Sequence, residues 1–497
     1  MRTKTLLVLA ATTLLVFTAG ISAAGSLTPI EELGKFLLFD TNLSTPPGQS
    51  CAACHGPDVG FTGPIPEINA AGAVYPGAVP TRFGNRKPPA ASYGGDSPVL
   101  YYDPAEGLWI GGMFWDGRAT GWTLGDPLAE QAMGPFLNPL EQNNPDMKFV
   151  VTLVSRSAYA DLFLQVWGPG SLDPVNDVYG SYVRIARSIA AYERSAEVNP
   201  FSSKYDYYLK GKVKLTKEEK LGLKLFEGKA MCSQCHLSRP GPNGEPPLFT
   251  DFTYDNLGVP RNPANPFYTA PTSTNPDGYN WVDPGLGGFL ASAGYADQAE
   301  ENWGKQKVPS LRNVDKRPYP GFVKAFGHNG FFKSLEAITH FYNTRDVESW
   351  PPPEVAMNVN TDELGDLGLA PAEEAAVVAF MRTLSDGYVL PGAPALAGSV
   401  VNSGPAAIEL VASHANPAHG KVSIGFALQA PTRVELTVYD VSGRKVRTVE
   451  GGSLAAGRHS LLWDGRDQAG NPVATGAYFY RLTAGEASRV GKVIQVK

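Results

Sequence analysis

Cys51-Ala52-Ala53-Cys54-His55 is the stretch of sequence around which the chain is organised. The spacing C-x-x-C-H is the attachment signature of c-type haem. The two thiols add to the haem vinyl groups as thioethers, and the two residues between them let one turn of backbone present both sulfurs. The adjacent histidine supplies the proximal nitrogen to the iron.

A second copy of the motif, Cys232-Ser233-Gln234-Cys235-His236, uses the two remaining cysteines. A single C-x-x-C pair is also typical of a redox dithiol or of half a zinc site. A zinc site built from both pairs is the serious alternative, but it leaves His55 and His236 unexplained. The sequence therefore predicts two covalently bound haems and no structural disulfide.

Length and composition indicate a globular protein of two or three domains. The chain has 497 residues, and its 54 glycines and 42 prolines indicate many loops without reaching the disordered range. Its formal net charge of −6 gives no electrostatic reason to expect a nucleic acid partner.

The N-terminus has the features of a secretory signal peptide. Two basic residues precede an apolar run from Leu6 to Phe17, and Ser22-Ala23-Ala24 follows it. This pattern predicts a signal peptide over residues 1–24. The alternative is a membrane anchor, although the run is short for a span. We expect an exported protein, in the periplasm or at the cell surface, which suits haem attachment outside the cytoplasm.

Apolar periodicity predicts the helices of the haem-binding region. The predicted segments are 29–40, 145–167, 175–195, 217–227, 334–342 and 371–385, and the fourth begins with a capping box at Thr216 and Glu219. The segment LGKFLLFD precedes the first haem motif and the similar segment LGLKLFEG precedes the other, which indicates a worn internal repeat. The fold class is therefore mainly α, with two tandem cytochrome-c-like haem domains, 25–200 and 201–388, rich in loops.

The last part of the chain has a different pattern. Residues 389–414 are rich in proline and small residues and are predicted to be a linker. From residue 415 to 497, short runs that alternate apolar and polar residues are separated by Gly, Asp and Asn turns. These features predict a small all-β, immunoglobulin-like sandwich, to which we assign no chemistry.

No histidine lies between His55 and His236. The first haem therefore has no histidine near it in sequence to act as a second axial ligand. Met113 and Met133 are possible ligands, but packing is the more common role of methionine. An iron with an open position binds small ligands, so this feature favours catalysis over pure electron transfer.

Residues 29–385 resemble the bacterial di-haem cytochrome c peroxidase family, which includes MauG. The resemblance rests on the two haem motifs and on several further segments. These segments are FWDGRA at Phe114–Ala119, Gln131-Ala132 with Pro135 and Glu141, VPSLRN at Val308–Asn313 and FGHNG at Phe326–Gly330. Residues 415–497 resemble the C-terminal sorting domains of the type IX secretion system and the flagellar-hook-capping immunoglobulin-like module, which implies the secretion machinery as a partner.

The resemblance implies roles for residues at the first haem, where His55 is proximal. Glu141 would move a proton between the two peroxide oxygens. Gln131 would hydrogen-bond the bound oxygen, and Pro135 would keep the distal space free of a protein ligand. Trp115 would lie between the haems as an electron relay, a role compatible with core packing.

At the second haem the resemblance implies His236 as the proximal ligand. The distal methionine of peroxidases in this family falls at position 342, where this chain has Tyr342, as MauG-like proteins do. Tyr342 is therefore the predicted distal ligand and His340 the alternative. A phenolate stabilises ferric iron and lowers the haem potential relative to methionine ligation.

The chain departs from the family pattern at two places. The first haem has no distal histidine, so we expect an enzyme that needs no reductive activation. The resemblance also implies calcium between the haems, held partly by an asparagine, but Lys87 stands at that position. The sequence leaves two alternatives there, a calcium ion or a lysine ammonium in its place.

Two classes of function follow. The first is a peroxidase that reduces hydrogen peroxide to water with electrons delivered through the second haem, most simply from a small c-type cytochrome. Its variant is MauG-like oxidation of aromatic residues in a partner protein. The second class is a non-enzymatic di-haem electron carrier, which requires two six-coordinate irons. The missing histidine and the Gln131/Glu141 pair favour the enzyme.

Overall fold

The structure is a computed structural model. It describes residues 27–391, 408–414, 420–428, 431–440, 444–455, 457–485 and 487–495. The described residues fall into two compact units, divided between Pro391 and Gly392. The predicted signal peptide, 1–24, and most of the predicted linker lie outside the described residues. None of the helices in the described ranges is by itself long and apolar enough to cross a membrane.

The first unit is mainly helical. Its helices are α1 Pro29–Phe39, α2 Pro66–Ala70, α3 Pro127–Leu137, α4 Met147–Ser155, α5 Ala160–Trp167, α6 Val178–Glu193, α7 Lys204–Leu209, α8 Lys217–Phe226, α9 Gly285–Ser292, α10 Ala296–Ala299, α11 Leu335–Thr344 and α12 Pro371–Arg382. Two short antiparallel pairs complete it, β1 Tyr101–Asp103 with β2 Leu108–Ile110, and β3 Tyr254–Asp255 with β4 Gln306–Lys307.

Two large apolar clusters fill this unit, and they follow each other along the chain. The first is built from α1, α3, α4, α5 and α6 and ends at Val198. The second begins at Tyr205 and is built mainly from α8, α11 and α12. The capping box predicted at the start of α8 is confirmed, because Glu219 N donates to Thr216 Oγ1 and Thr216 N donates to Glu219 Oε2.

The internal repeat seen in the sequence corresponds to the same packing in both clusters. A Cβ added at Gly34 in α1 would lie 1.9 Å from Ser188 O and 2.8 Å from Tyr192 Cβ in α6. A Cβ added at Gly222 in α8 would lie 1.8 Å from Ala376 O and 2.8 Å from Phe380 Cβ in α12. In each case glycine lets the helix before a haem motif touch the backbone of its partner helix.

The structure corrects two expectations about helices. The segment 145–167 is two helices, α4 and α5, which meet at 104° rather than forming one. Ser157 Oγ donates to Val154 O at 2.8 Å at the break, and such side-chain hydrogen bonds compete with the helical pattern. Helix α3 was not predicted, because it contains Gly134 and Pro135 in a region rich in loop-forming residues.

The second unit is all β. The strands are β5 Ile408–His414, β6 Val422–Leu428, β7 Thr432–Asp440, β8 Lys445–Leu454, β9 Gly457–Trp463, β10 Gly476–Ala484 and β11 Ala487–Gln495. They form two antiparallel sheets, in the orders β5-β6-β9 and β11-β10-β7-β8. Alternate residues of β6, Val422, Ile424, Phe426 and Leu428, are buried with Trp463 in one core. The predicted β-domain is therefore present.

The boundary of this β-domain differs from the predicted one. Strand β5 pairs with β6, from Ile408 opposite Leu428 to His414 opposite Ser423. It falls within 389–414, which the sequence assigned to a linker. The alternation at Ile408 and Leu410 is too short to stand out after a long stretch of small residues. The β-domain therefore begins by residue 408 instead of at 415.

Candidate active site

The first haem motif forms a single 3₁₀ turn, Cys51–Ala53, which follows α1 after the loop 40–50. Cys54 N and His55 N both donate to Cys51 O, at 3.1 and 3.0 Å. His55 Nδ1 lies 3.1 Å from Phe61 O, and a carbonyl only accepts, so Nδ1 carries the proton. Burial lowers the pKa of His55. The imidazole is thus held neutral with Nε2 available to a metal.

A cavity in the first apolar cluster brings the predicted first-haem residues together. We call it the first cavity. Its lining includes Cys51, Cys54, His55, Gln131, Pro135 and Glu141. Gln131 and Pro135 are one turn apart on α3, and Glu141 follows in the loop after that helix. His55 is the one histidine among the described residues that line this cavity.

The loop after α3 fixes the position of Glu141. Asn138 Nδ2 donates to Glu141 Oε1 at 2.6 Å, and Glu141 N donates to Asn138 O at 3.0 Å. Burial raises the pKa of the Glu141 carboxyl, while the charge of Arg118 and the Asn138 hydrogen bond oppose that rise. The result is a fixed carboxyl in the cavity whose pKa lies above its ordinary value, as a proton-transferring group requires.

Of the two methionines considered as iron ligands, one lines the first cavity. Met113 is among its lining residues. Met133 packs instead against the first apolar cluster. A Cβ on Gly94 would lie 2.9 Å from Met113 Cε, so that methionine also fills space beside the loop.

The second haem motif repeats the same local geometry. Cys232–Gln234 form a 3₁₀ turn, His236 N donates to Cys232 O, and His236 Nδ1 lies 2.8 Å from Phe249 O. Burial lowers the pKa of His236. A larger cavity, the second cavity, is lined by Cys232, Cys235, His236 and Tyr342.

The structure separates the two alternatives for the distal side of this second site. Tyr342 is on α11 and lines the second cavity. His340 does not line it and pairs with two carboxylates, Nδ1 with Glu374 at 3.0 Å and Nε2 with Glu348 at 3.3 Å. The hydrogen bond that His340 donates to the Glu374 carboxylate is the main cause that raises the pKa of His340. The geometry favours Tyr342.

The four cysteines do not form one site. One C-x-x-C pair lines the first cavity and the other lines the second. Burial raises the pKa of the Cys51, Cys54 and Cys232 thiols to about 12. A redox dithiol needs a lowered thiol pKa instead. Neither the zinc site nor the redox dithiol fits this arrangement.

The FWDGRA segment lies between the two cavities. Phe114 lines the first cavity and Trp115 lines the second, while Ala90 lines both. Trp115 is 7% exposed, and its Nε1 donates to Lys87 O at 2.9 Å. The Arg118 guanidinium carbon lies 3.8 Å from the centroid of the Phe114 ring. Successive residues of one motif therefore contact the two candidate haem sites.

Lys87, at the position considered for calcium, is buried beside Trp115. Its Nζ donates to Thr62 Oγ1 at 3.1 Å and to Pro88 O at 3.0 Å. These two oxygens are the kind of ligand that a hard cation would bind. The ammonium already occupies them.

Several polar residues of the cavities were not singled out from the sequence. Gln142 and Glu193 line the first cavity, with Gln142 Oε1 and Glu193 Oε2 unpaired among the described residues. Gln306 and Arg312 line the second cavity and also have unpaired polar atoms there. Sequence periodicity gives no signal for them, because each lies in a loop or at the end of an element.

Both cavities fit covalently attached haem. Each has two cysteine sulfurs and a neutral histidine on one turn, an apolar cluster around it, and buried polar atoms that lack partners in the described part of the chain. A free apolar cavity would leave those buried polar atoms unsatisfied. These features agree with a large planar group that also carries polar substituents.

Comparison with known proteins agrees with this geometry. The methylamine utilization protein MauG of Paracoccus denitrificans is 37% identical over 368 residues, which cover 71% of this chain and 88% of that relative. The chain belongs to the di-haem cytochrome c peroxidase family. A sequence profile described as di-haem cytochrome c peroxidase matches residues 29–214.

Other members of this di-haem family are also similar. Cytochrome c551 peroxidase of Nitrosomonas europaea is 28% identical, over 71% of this chain and 79% of its own. The crystal structure of the diheme peroxidase BthA from Burkholderia thailandensis superposes with a TM-score of 0.60 and 31% identity, covering 73% of this chain and 87% of that chain. The β-unit matches the FlgD Ig-like domain over residues 413–488. The prediction of a di-haem peroxidase followed by an Ig-like module is confirmed.

Proposed function

We propose that the chain is a di-haem peroxidase that reduces hydrogen peroxide to water at the first cavity, with electrons delivered through the second. The observation that carries this proposal is the first cavity itself. Gln131, Pro135 and Glu141 line it together with the haem-attaching motif, and its described lining offers no second histidine. A simple electron carrier has no use for a fixed carboxyl beside an open position.

The two haems occupy tandem domains, approximately 25–200 and 201–388. The two successive apolar clusters support this division, because the first ends at Val198 and the second begins at Tyr205. The matching contacts of Gly34 with α6 and of Gly222 with α12 support it as well.

The residues of the first cavity move protons and position peroxide. When attached, the first haem supplies an iron that binds peroxide and exchanges electrons with it. Glu141 takes a proton from one peroxide oxygen and returns it to the other, so that water is the leaving group. Gln131 donates a hydrogen bond to peroxide, and Pro135 keeps protein ligands away. Each turnover consumes one peroxide, two protons and two electrons and yields two waters.

The residues of the second cavity hold a haem that only transfers electrons. His236 and Tyr342, which both line this cavity, would hold the iron of the second haem, and the two protein ligands together would leave it no site for small molecules. Trp115 relays electrons between the two sites, and its burial between the cavities supports that role.

The electron donor is a small c-type cytochrome in the first instance. The relative named cytochrome c551 peroxidase supports a cytochrome as the donor. The aromatic residues of a partner protein are the second candidate, which the MauG-like features of the sequence imply. Tyr342 is the reason to retain the oxidation of a partner protein's aromatic residues as an alternative, because phenolate ligation would stabilise the oxidised states of the iron. Peroxide turnover measured with a reduced cytochrome c, in parallel with partner proteins, tests the proposal. No turnover with any donor contradicts it.

The β-unit serves delivery, in line with export of the protein. The signal peptide at 1–24 directs it out of the cytoplasm, and the β-domain engages the secretion machinery at the cell surface. The match to an Ig-like domain and the separate compact unit support an autonomous module. Deleting residues 400–497 should leave an active di-haem protein in the periplasm. Loss of haem in the truncated protein contradicts the assignment.

A further inference from the structure

Three lysines line the second cavity, Lys87, Lys307 and Lys324. Lys87 is 9% exposed and Lys324 is 4% exposed, while Lys307 is half-buried. Within the described ranges none of them has a carboxylate at ion-pair distance, and they bond to neutral oxygens instead. We call these three residues the lysine wall.

Two of the three ammonium groups have donors to spare. A lysine ammonium has three N–H donors. Lys87 Nζ donates to Thr62 Oγ1 and Pro88 O, and Lys307 Nζ donates to Gly111 O at 2.9 Å and Phe252 O at 3.3 Å. Each of these ammonium groups therefore keeps one donor.

Lys324 is arranged differently from the other two lysines. Its Nζ donates to three backbone carbonyls, of Val59 at 2.9 Å, Asn313 at 3.0 Å and Lys316 at 3.1 Å. All three of its donors are used. It therefore adds charge to the lysine wall without offering a further hydrogen bond.

Two more donors of the second cavity lack partners in the described part of the chain. Arg312 is 2% exposed, and its Nη2 is unpaired although Nη1 bonds to Asp206. Gln306 is 8% exposed, and its Nε2 is unpaired as well. The residues that carry these unpaired N–H groups line the same cavity as Lys87 and Lys307, and the unused donors of all four residues lack an acceptor in the described part of the chain.

Buried cations without a counter-charge are costly. Burial lowers the pKa of Lys87 to about 8 and that of Lys307 to about 7. The charge of Asp251 only partly offsets the lowering of the Lys307 pKa by burial. The charge of Asp315 does the same for the pKa of Lys324. Asp255 and Glu363 also line the second cavity, but neither forms an ion pair with these lysines among the described residues. An anion beside the lysines would therefore supply the missing counter-charge and satisfy the unpaired donors at the same time.

We propose that Lys87, Lys307, Gln306 and Arg312 bind the carboxylates of the second haem, with Lys324 adding its charge. This inference rests on the proposed haem loading. Haem carries its vinyl groups on one half of the ring and its two carboxylates on the other. Attachment to Cys232 and Cys235 therefore directs the carboxylates away from the cysteines, toward the part of the cavity that other segments line.

The lysine wall also replaces the divalent metal considered at this place. The Lys87 ammonium already bonds Thr62 Oγ1 and Pro88 O, and Lys307 and Lys324 line the same cavity. A further divalent ion there would be repelled. The holoprotein should therefore need no calcium.

Redox titration of the full-length holoprotein tests the inference. Lys87→Met and Lys307→Met should each lower the midpoint potential of the second haem, because each removes a positive charge that stabilises the reduced state. A charge about 10 Å away at an effective dielectric near 20 changes the redox equilibrium about tenfold. That factor is a shift of about 59 mV for one electron.

Lys333 provides a matched control for these substitutions. Its Nζ also bonds three backbone carbonyls, of Asn69, Ala71 and Gly330, but it lines neither cavity. Lys333→Met should leave the second-haem potential unchanged, and Lys307→Arg, which keeps the charge, should shift it least among the variants of the lysine wall. Equal potentials in Lys87→Met, Lys307→Met and Lys333→Met overturn the inference.

Three further measurements separate it from its alternatives. Chelation with EDTA should leave the second-haem potential of the wild type unchanged, whereas the potential of Lys87→Asn should become sensitive to calcium. A shift of the wild-type potential on chelation overturns the claim that the lysines replace a divalent metal. Phosphate or chloride at constant ionic strength should have no effect, and a dependence on either assigns the cavity to a free anion instead. Haem content per chain is measured in parallel. Fewer than two haems in the wild type contradicts the proposed function, while two haems without a shift contradicts only this inference.

Discussion

The two candidate haem sites share a local motif but differ in the residues around it. In both, a 3₁₀ turn carries the cysteines, and the histidine Nδ1 bonds to a phenylalanine carbonyl, of Phe61 in one and Phe249 in the other. The first cavity adds a carboxyl, an amide and a proline. The second adds a tyrosine and lysines. The motif attaches the cofactor, and the surroundings decide its chemistry.

In the proposed function, this difference divides the work between the two haems. A carboxyl with a raised pKa beside an open position suits proton transfer to peroxide. A second protein ligand and fixed positive charge suit a site that passes electrons and excludes small ligands. Exchanging these surroundings should exchange the two roles, whereas changing the motifs should only remove haem.

The largest effect is expected for Glu141→Gln, which removes the proton-transferring group of the first cavity. Peroxide turnover should fall by roughly 10²–10⁴-fold, with both haems retained, as for other general acid–base groups. Steady-state assays and haem content measure this. The control is Glu67→Gln, at an exposed carboxyl on α2. Wild-type turnover in Glu141→Gln would refute the role.

The next effect tests whether the two halves are built alike. Gly34→Ala and Gly222→Ala should each lower the free energy of unfolding by about 1–3 kcal/mol, since a Cβ would overlap a backbone carbonyl of the partner helix. Gly321→Ala is the control, because a Cβ there meets nothing within 4 Å. Denaturant titrations of the three variants decide. A loss at only one of the two glycines would show that the repeat is not structural.

A third test concerns the ligand that closes the second cavity. Tyr342→Met should raise the second-haem potential by roughly 59 mV or more, a tenfold change per electron, and Tyr342→Phe should open that haem to added ligands. The control is Tyr205→Phe, a buried tyrosine that donates to Ser238 O outside the cavity. An unchanged potential and spectrum in both Tyr342 variants would exclude this residue, and His340 would be the next to change.

The smallest effect is a shift in pH dependence at the first cavity. Glu141 must be deprotonated to accept the first proton, so turnover should fall as the pH decreases through its pKa. Because burial raises that pKa, the fall should begin at a higher pH than for an ordinary glutamate, whose pKa is about 4.3. The charge of Arg118 lowers the pKa of Glu141. Arg118→Met should therefore move the acidic limb to higher pH. If the acidic limb of the pH–turnover profile does not move in Arg118→Met, the limb does not report the ionisation of Glu141.

Local pattern predicted much of the helical frame but not the polar walls of the cavities. Helices α1, α6, α8, α11 and α12 follow apolar periodicity and capping signals, so the sequence places them near their observed bounds. Helix α3 depends on packing instead. Tyr182 Oη on α6 donates to Met133 O, and Phe136 stacks edge-on against the Tyr182 ring. Such tertiary contacts override the loop-forming residues, which no single-sequence pattern reveals.

Some residues of the candidate site could likewise be predicted from the sequence, and others could not. The haem-attaching residues carry a spacing that can be read directly, and Gln131, Pro135 and Glu141 came from a resemblance. Lys307, Lys324 and Gln306 gave no signal, because lysine and glutamine side chains are usually exposed. Only the fold shows that they face the second cavity.

The most direct test of the central difference between the two cavities is a cyanide titration of the resting, fully oxidised protein. Absorption and electron paramagnetic resonance spectra should show one high-spin and one low-spin haem. Cyanide should convert only the high-spin haem, with one equivalent bound before any reduction. Two low-spin haems at rest, or cyanide binding only after one-electron reduction, would contradict an open first site beside a closed second one.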